Sequence, residues 1–179
     1  MPNFGTVRFG ELDYRPEDVI TLPEGLVGLP DLRSWLILDM GEDVPMKWFQ
    51  SLDRGDFGFP VSQADLFHDE YEVPLGQPVR SHLGNVDEND LATLIITTIH
   101  PGGECVTGNL LAPLMIDTNT RRGVQLNLDD ERYSLRQELN YFKFGLAVKS
   151  ETTEDEDTAD KAADAMCGNG EPTPETVGV

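Results

Sequence analysis

Between Thr6 and Ala147 the apolar residues fall into short clusters, each closed by Gly, Pro, Asp or Asn before the next begins. Clusters that recur at about 8 to 15 residues are the pattern of an all-β chain, because a βαβ unit needs a long amphipathic helix between strands. The candidate strands are Thr6–Phe9, Val19–Leu22, Trp35–Asp39, Lys47–Ser51, Gly58–Val61, Leu91–Ile99, Cys105–Leu110, Leu114–Asp117 and Val124–Leu128. Leu91–Ile99 (LATLIITTI) is rich in Ile, Leu and Thr, and reads as a central strand covered on both faces. In Val124–Leu128 the residues Val124, Leu126 and Leu128 share one face and Gln125 and Asn127 the other, as in a strand half in water. The intervening Thr-Asn-Thr-Arg-Arg-Gly predicts a hairpin turn with positive φ at Asn119 and Gly123. Ser134–Phe142 (SLRQELNYF) predicts a short helix: Ser134 stands at capping-box spacing from Gln137, and Leu135, Leu139 and Phe142 recur at helical intervals.

The expected fold is therefore all-β, a sandwich or a barrel and mainly antiparallel, with one or two short helices and a disordered acidic C-terminal tail. The boundary falls where composition changes: residues 1–147 form the folded domain, and residues 148–179 form a tail without aromatics that cannot offset its ordering entropy. The formal charge of the whole chain is −20. Residues 150–179 hold nine acids and one lysine, a net of −8, which leaves −12 on residues 1–149. Such a balance opposes direct nucleic-acid binding, which draws its affinity from Lys and Arg, and favours either a basic protein partner or plain solubility. No apolar run approaches the roughly 20 residues of a membrane span. The start MPNFGTVRFGELDY has neither a basic nor an apolar signal region, so the expected location is the cytoplasm. The two cysteines, Cys105 and Cys167, form no CxxC pair and are expected to be reduced thiols.

Chemistry-bearing constellations are sparse. His68, His82 and His100 lie in loop-like positions without HxH or HxxxH spacing, so neither a metal nor another cofactor is expected. No GxSxG elbow and no GxxxxGK[ST] phosphate loop occurs, and no catalytic residue is assigned. Paired carboxylates are too common among 33 acids to single out an acid/base pair. What stands out is the strip Asp65–Pro74, where Phe67, Tyr71 and Val73 interleave with Asp65, Asp69, Glu70 and Glu72. Aromatics for buried area and carboxylates for a charged rim are the ingredients of a docking surface for a basic partner. The bland alternative is that Phe67 and Tyr71 cover the core. An alternative of another class is a small-molecule-binding or metal-dependent hydrolytic barrel in which His68, Asp69 and His100 converge.

Read together, the segments resemble the flagellar assembly factor FliW family. VRFGELDY, followed by ITLPEGLVGLPDLRSWLIL, is similar to that family's Phe-Gly start and Pro-x-Gly-Leu-x-Gly signature. WFQSLD and FGFPVSQADLFHDEYEV resemble its Leu-Gln-Ser and Phe-x-Val segments, the latter closing on an acidic-Tyr pair. GNLLAPLMIDTNTRRGVQLNL resembles its Asn-Leu-x-Ala-Pro hairpin with a Gln-bearing return strand, and the likeness spans roughly residues 6 to 140 in order. On this reading the hairpin is scaffold, Asn109 fixing the turn before Pro113 and Gln125 and Asn127 forming a polar outer face. Leu29 stands where the family commonly has an aromatic.

The resemblance implies an all-β, mainly antiparallel, barrel-like domain that acts as a non-enzymatic antagonist: it binds CsrA, a dimeric RNA-binding repressor of flagellin translation, and also binds flagellin. Flagellin would occupy the factor until its export releases the factor to capture CsrA. A chaperone for flagellin alone is the narrower alternative. The partner-binding residues expected are Leu22 and Glu24 in the signature loop and Phe67, Tyr71 and Glu72 on the acidic strip.

Overall fold

The computed structural model describes residues 1–41, 44–101 and 105–139. In chain order the strands are β1 (Asn3–Thr6), β2 (Gly10–Asp13), β3 (Ile20–Thr21), β4 (Ser34–Asp39), β5 (Lys47–Ser51), β6 (Gly58–Gln63), β7 (Leu91–Ile99), β8 (Val106–Gly108), β9 (Leu114–Asp117), β10 (Arg122–Gln125) and β11 (Gln137–Glu138). One α-helix, α1 (Gln77–Leu83), and three single turns of 3-10 helix complete the regular structure among the described residues.

β1 and β2 form a hairpin of their own, whereas β3 to β7 run as antiparallel neighbours. β7 then pairs with β9, β9 with β10, and β10 returns to β3 through a parallel contact at Arg122 and Thr21. The pairings close a ring of strands, the arrangement that removes exposed sheet edges. β8 and β11 extend outward from the C-terminal half of β7.

Closure sorts the side chains by parity. Leu94 joins Ile20, Leu22, Trp35, Phe49, Val61, Leu114 and Ile116 inside the ring, while its neighbour Ile95 packs outside with Phe67, Val106, Leu110, Tyr133 and Leu139. β7 is thus covered on both faces, as its composition predicts. Inside, Trp35 stacks on Phe49 with ring centroids 4.5 Å apart and planes 2° from parallel. Full burial of each such side chain contributes roughly 1.5 to 3 kcal/mol. A third cluster joins Met115, Val124 and Leu126 to Val79 of α1. The alternation read from Val124 to Leu128 therefore exists, but its apolar side faces α1 outside the ring. Gly123 faces inward, where a Cβ would lie 2.7 Å from Leu22 Cδ2.

Three local expectations are corrected. The β9–β10 turn takes its positive φ at Arg121 (55°), not at Asn119 or Gly123. The Asp117 carboxylate organises it, accepting from the N–H groups of Asn119 and Thr120 at 2.9 and 3.2 Å and from Thr120 Oγ1 at 2.6 Å. The helix expected over Ser134–Phe142 is absent as far as the described residues reach. Ser134 Oγ accepts from Arg136 N, Leu135 is 63% exposed, and Gln137 and Glu138 pair with Gly108 and Thr107 as β11. The remainder of that segment, the acidic tail and Cys167 lie outside the described residues. Cys105 is disulfide-bonded, against the reduced thiol expected there.

Asn109 behaves as read: its Oδ1 accepts from Leu111 N at 3.1 Å and so fixes the approach to β9. Gln125 does not form an outer polar face with Asn127, because both ends of its amide are used within the fold.

Candidate functional site

The loop after β3 is built from inside outward. Leu22 is 0% exposed and its N–H donates to Arg33 O at 2.8 Å, so it anchors the loop to the barrel interior. Gly25 follows with φ +69°, and a Cβ there would meet Leu29 O at 2.4 Å; only glycine fits the turn. Leu26 and Leu29 then exchange backbone bonds at 3.2 and 2.8 Å. This lifts Val27 to the tip, where it is 75% exposed. Gln125 clasps the loop from below: its Oε1 accepts from Val27 N at 2.8 Å and its Nε2 donates to Ala112 O at 3.3 Å. Leu29 packs against the barrel core.

Glu24 remains on the surface and meets α1. His82 Nε2 lies 2.9 Å from Glu24 Oε1, and His82 Nδ1 lies 3.0 Å from Ser81 Oγ. A carboxylate only accepts, so Nε2 carries a proton and donates to Glu24. Pro23, Glu24, Val27, His82 and Gln125 enclose a small depression of about 120 Å³.

The acidic strip divides between core and surface. Phe67 is 6% exposed and packs against Ile95 and the bare Cα of Gly108, where a Cβ would come within 2.9 Å of its ring. Tyr71 is half-buried, its hydroxyl donating to Leu110 O at 2.6 Å and its ring 4.6 Å from that of Tyr133. Burial, reinforced by Tyr133 and Asp130 nearby, pushes the Tyr71 phenol well above its ordinary pKa. Tyr133 holds the next residue: its hydroxyl accepts from Glu72 N at 2.9 Å and donates to Glu72 O at 3.2 Å. With its backbone fixed, Glu72 presents a side chain 79% exposed, 3.9 Å from Arg132. Arg132 bonds more closely to Asp130, at 2.9 Å, and the hydrogen bonds from Arg132 hold the Asp130 carboxyl below the usual carboxylate range.

Two depressions flank this strip and meet at Val73, Leu91 and Thr93. One, of about 570 Å³, is rimmed by Glu72, Glu88 and Arg132 over a floor that includes Leu75 and Met115. The other, of about 310 Å³, is rimmed by Asp65, Asp69 and His68 beside Tyr71. Among the described residues that line these depressions, four carboxylates and one guanidinium surround an apolar floor.

The expected site residues therefore separate. Tyr71 and Glu72 share the strip and its clefts, Glu24 belongs to the signature-loop depression, and Leu22 and Phe67 pack beneath the two surfaces. Val27, His82, Glu88, Arg132 and Tyr133 escape a reading of the sequence. Nothing in the segment of α1 announces that His82 will meet Glu24, and Tyr133 sits in a stretch read as the approach to a helix. Among the described residues no group of three His, Cys, Asp or Glu is placed to hold a metal ion. His100 Nε2 instead lies 3.1 Å from Thr107 Oγ1, while His68 packs edge-on against Tyr133.

A closed barrel carrying a clasped loop and carboxylate-rimmed clefts on its outer face defines a small β-barrel protein. The model of the FliW protein family matches residues 3–139, and the chain belongs to that family of flagellar assembly factors. It is 36% identical over 132 residues to the flagellar assembly factor FliW of Caldanaerobacter subterraneus subsp. tengcongensis, with 73% of this chain and 88% of the relative covered. The flagellar assembly factor FliW of Thermoanaerobacter pseudethanolicus is 35% identical over the same length and coverage. The fold is similar to a crystal structure of the flagellar assembly factor FliW, with a TM-score of 0.71 and 23% identity over 76% of this chain and 96% of the other.

Proposed function

We propose that this protein is a non-catalytic antagonist that binds the translational regulator CsrA, relieves its repression of flagellin mRNA, and exchanges CsrA for flagellin. One observation carries the reading: the exposed face of a FliW-family barrel gathers Asp65, Asp69, Glu72 and Glu88 around an apolar floor. An RNA-binding regulator must be positively charged where it holds phosphates, so these carboxylates speed encounter and fix orientation. They also repel RNA, so the factor acts by occupying its partner and binds no nucleic acid itself. Tyr71, Glu72 and Glu24 are the contact residues, and Leu22 and Phe67 hold the two surfaces in shape from beneath. No metal or cofactor takes part.

The work is done in the cytoplasm, where CsrA and unexported flagellin are found together. Among the described residues no helix is long and apolar enough to cross a membrane. The barrel of residues 1–147 carries the function, and residues 148–179 serve as a solvating tail. Co-elution of the full chain with CsrA on size exclusion tests the reading. A complex that Glu72→Lys dissociates, while the variant keeps the parent's circular dichroism, supports it; separate elution at micromolar concentrations refutes it.

A further inference from the structure

The barrel ring is closed, yet one of its strands is bordered on only one side for part of its length. β9 pairs with β7 from Leu91 to Leu94, whereas β6, on the opposite edge, pairs only from Leu94 to Ile96. Leu94 itself lies between Gln63 and Leu114. After Gln63 the chain leaves the sheet in a turn of 3-10 helix, Ala64–Leu66, so among the described residues no strand continues alongside Leu91 to Thr93.

Parity decides which backbone groups face the gap. Asp90 O accepts from Thr118 N and Ile96 O from Asn109 N, both toward β9 and β8. Even-numbered residues of β7 therefore point that way, and Leu91, Thr93 and Ile95 point toward β6 and the space beyond its end. The Leu91 N–H is taken by Glu88 O at the end of a 3-10 turn. Among the described residues the Leu91 carbonyl and the Thr93 N–H have no backbone partner and face the notch, at the spacing that one residue of an adjoining parallel strand would bridge.

The notch is not flat surface. It coincides with the junction of the two depressions, both of which are lined by Val73, Leu91 and Thr93. Asp65 and Asp69 stand on one side of it and Glu72 and Glu88 on the other, all four exposed. Leu75 and Met115 line one depression, and Ala64 and Leu94 the other.

We infer that this notch is a strand-addition site, which takes an extended segment of a partner whose residues alternate between basic and small apolar side chains. Backbone bonds to Leu91 O and Thr93 N–H hold the segment as an added strand. Its apolar side chains enter the depressions, and its Lys or Arg side chains meet the four carboxylates. The inference rests on the reading of this face as the partner site, and adds how the partner's chain lies there.

The probe is an acetylated, amidated heptapeptide of alternating Lys and Val, titrated into the isotopically labelled full chain and followed by amide shifts. Strand addition predicts shifts centred on Leu91–Thr93, slowed exchange of the Thr93 amide, and weaker binding to Asp69→Lys/Glu88→Lys. N-methylation then tests the backbone. Methyl groups on the residues that pair cost about tenfold in affinity, roughly one hydrogen bond, while methyl groups on the intervening residues cost less than about twofold. Equal losses at every methylated position, or no binding at low salt, overturn the inference. A protein that ignores the peptide yet forms the CsrA complex retains the antagonist role without strand addition. Peptide binding without a CsrA complex does the reverse.

Discussion

The hydroxyl of Tyr133 bonds to both backbone groups of Glu72, accepting its N–H at 2.9 Å and donating to its carbonyl at 3.2 Å. A phenol that is itself 94% buried with its residue therefore substitutes for a sheet partner at the middle of the acidic strip. Tyr133→Phe keeps the packing against Tyr71 and removes both bonds. The expected cost is about 1 to 2 kcal/mol in urea unfolding, with faster amide exchange at Glu72. A variant as stable as the parent would mean that the strip is held by packing alone.

Gln125 plays the corresponding part for the signature loop, where one amide joins Val27 N to Ala112 O. Gln125→Ala should leave the barrel intact, cost about 1 kcal/mol, and speed exchange of the Val27 amide before that of β4 or β5 amides. If Val27 and the central strands exchange together, the clasp is not what orders the loop.

The β9–β10 turn predicts a pH dependence. Bonds from Thr120 Oγ1 and from the backbone of Asn119 and Thr120 hold the Asp117 carboxyl below the usual carboxylate range, and partial burial opposes them. A depressed acid stabilises the fold above its unfolded pKa of about 3.9, and that contribution is lost as pH falls through the lower folded value. Asp117→Asn cannot accept the Thr120 hydroxyl and the backbone bonds as well as the carboxylate does. It should be less stable than the parent at pH 7, and the two melting temperatures should converge below about pH 4. A gap that persists unchanged at pH 3 would contradict the assignment.

What the sequence revealed follows from where the physics is local. β5, β7 and β9 have the predicted bounds: β7 and β9 are dense apolar runs whose limits are set by their own residues, and β5 is centred on the adjacent aromatics Trp48 and Phe49. β10 begins earlier than the alternation from Val124 predicts, because Gly123 is a strand residue whose missing side chain leaves room for Leu22. Ser134–Phe142 has helical spacing, but pairing with β8 uses the backbone of Gln137 and Glu138 and overrides it. α1 has little local signal, because QPVRSHL has few apolar positions and a proline in its first turn; its stability comes from packing Val79 on Met115, Val124 and Leu126. The acidic strip was legible as composition, whereas its division into a buried Phe67 and an exposed Glu72 depends on Gly108 and Tyr133, far away in sequence.

Reversal of charge on the strip separates steering from contact. Glu72→Lys should reduce CsrA affinity about tenfold at low ionic strength and by a smaller factor at 0.5 M salt, where the Debye length is only a few ångströms. Equal affinity in a folded variant would remove Glu72 from the interface.

The most direct measurement is a calorimetric titration of the full chain with CsrA at low and at physiological salt, repeated after saturation with flagellin. The account predicts binding that weakens as salt rises and that vanishes when flagellin is already bound. Absence of heat with CsrA alone, or CsrA affinity unchanged by flagellin, would contradict it.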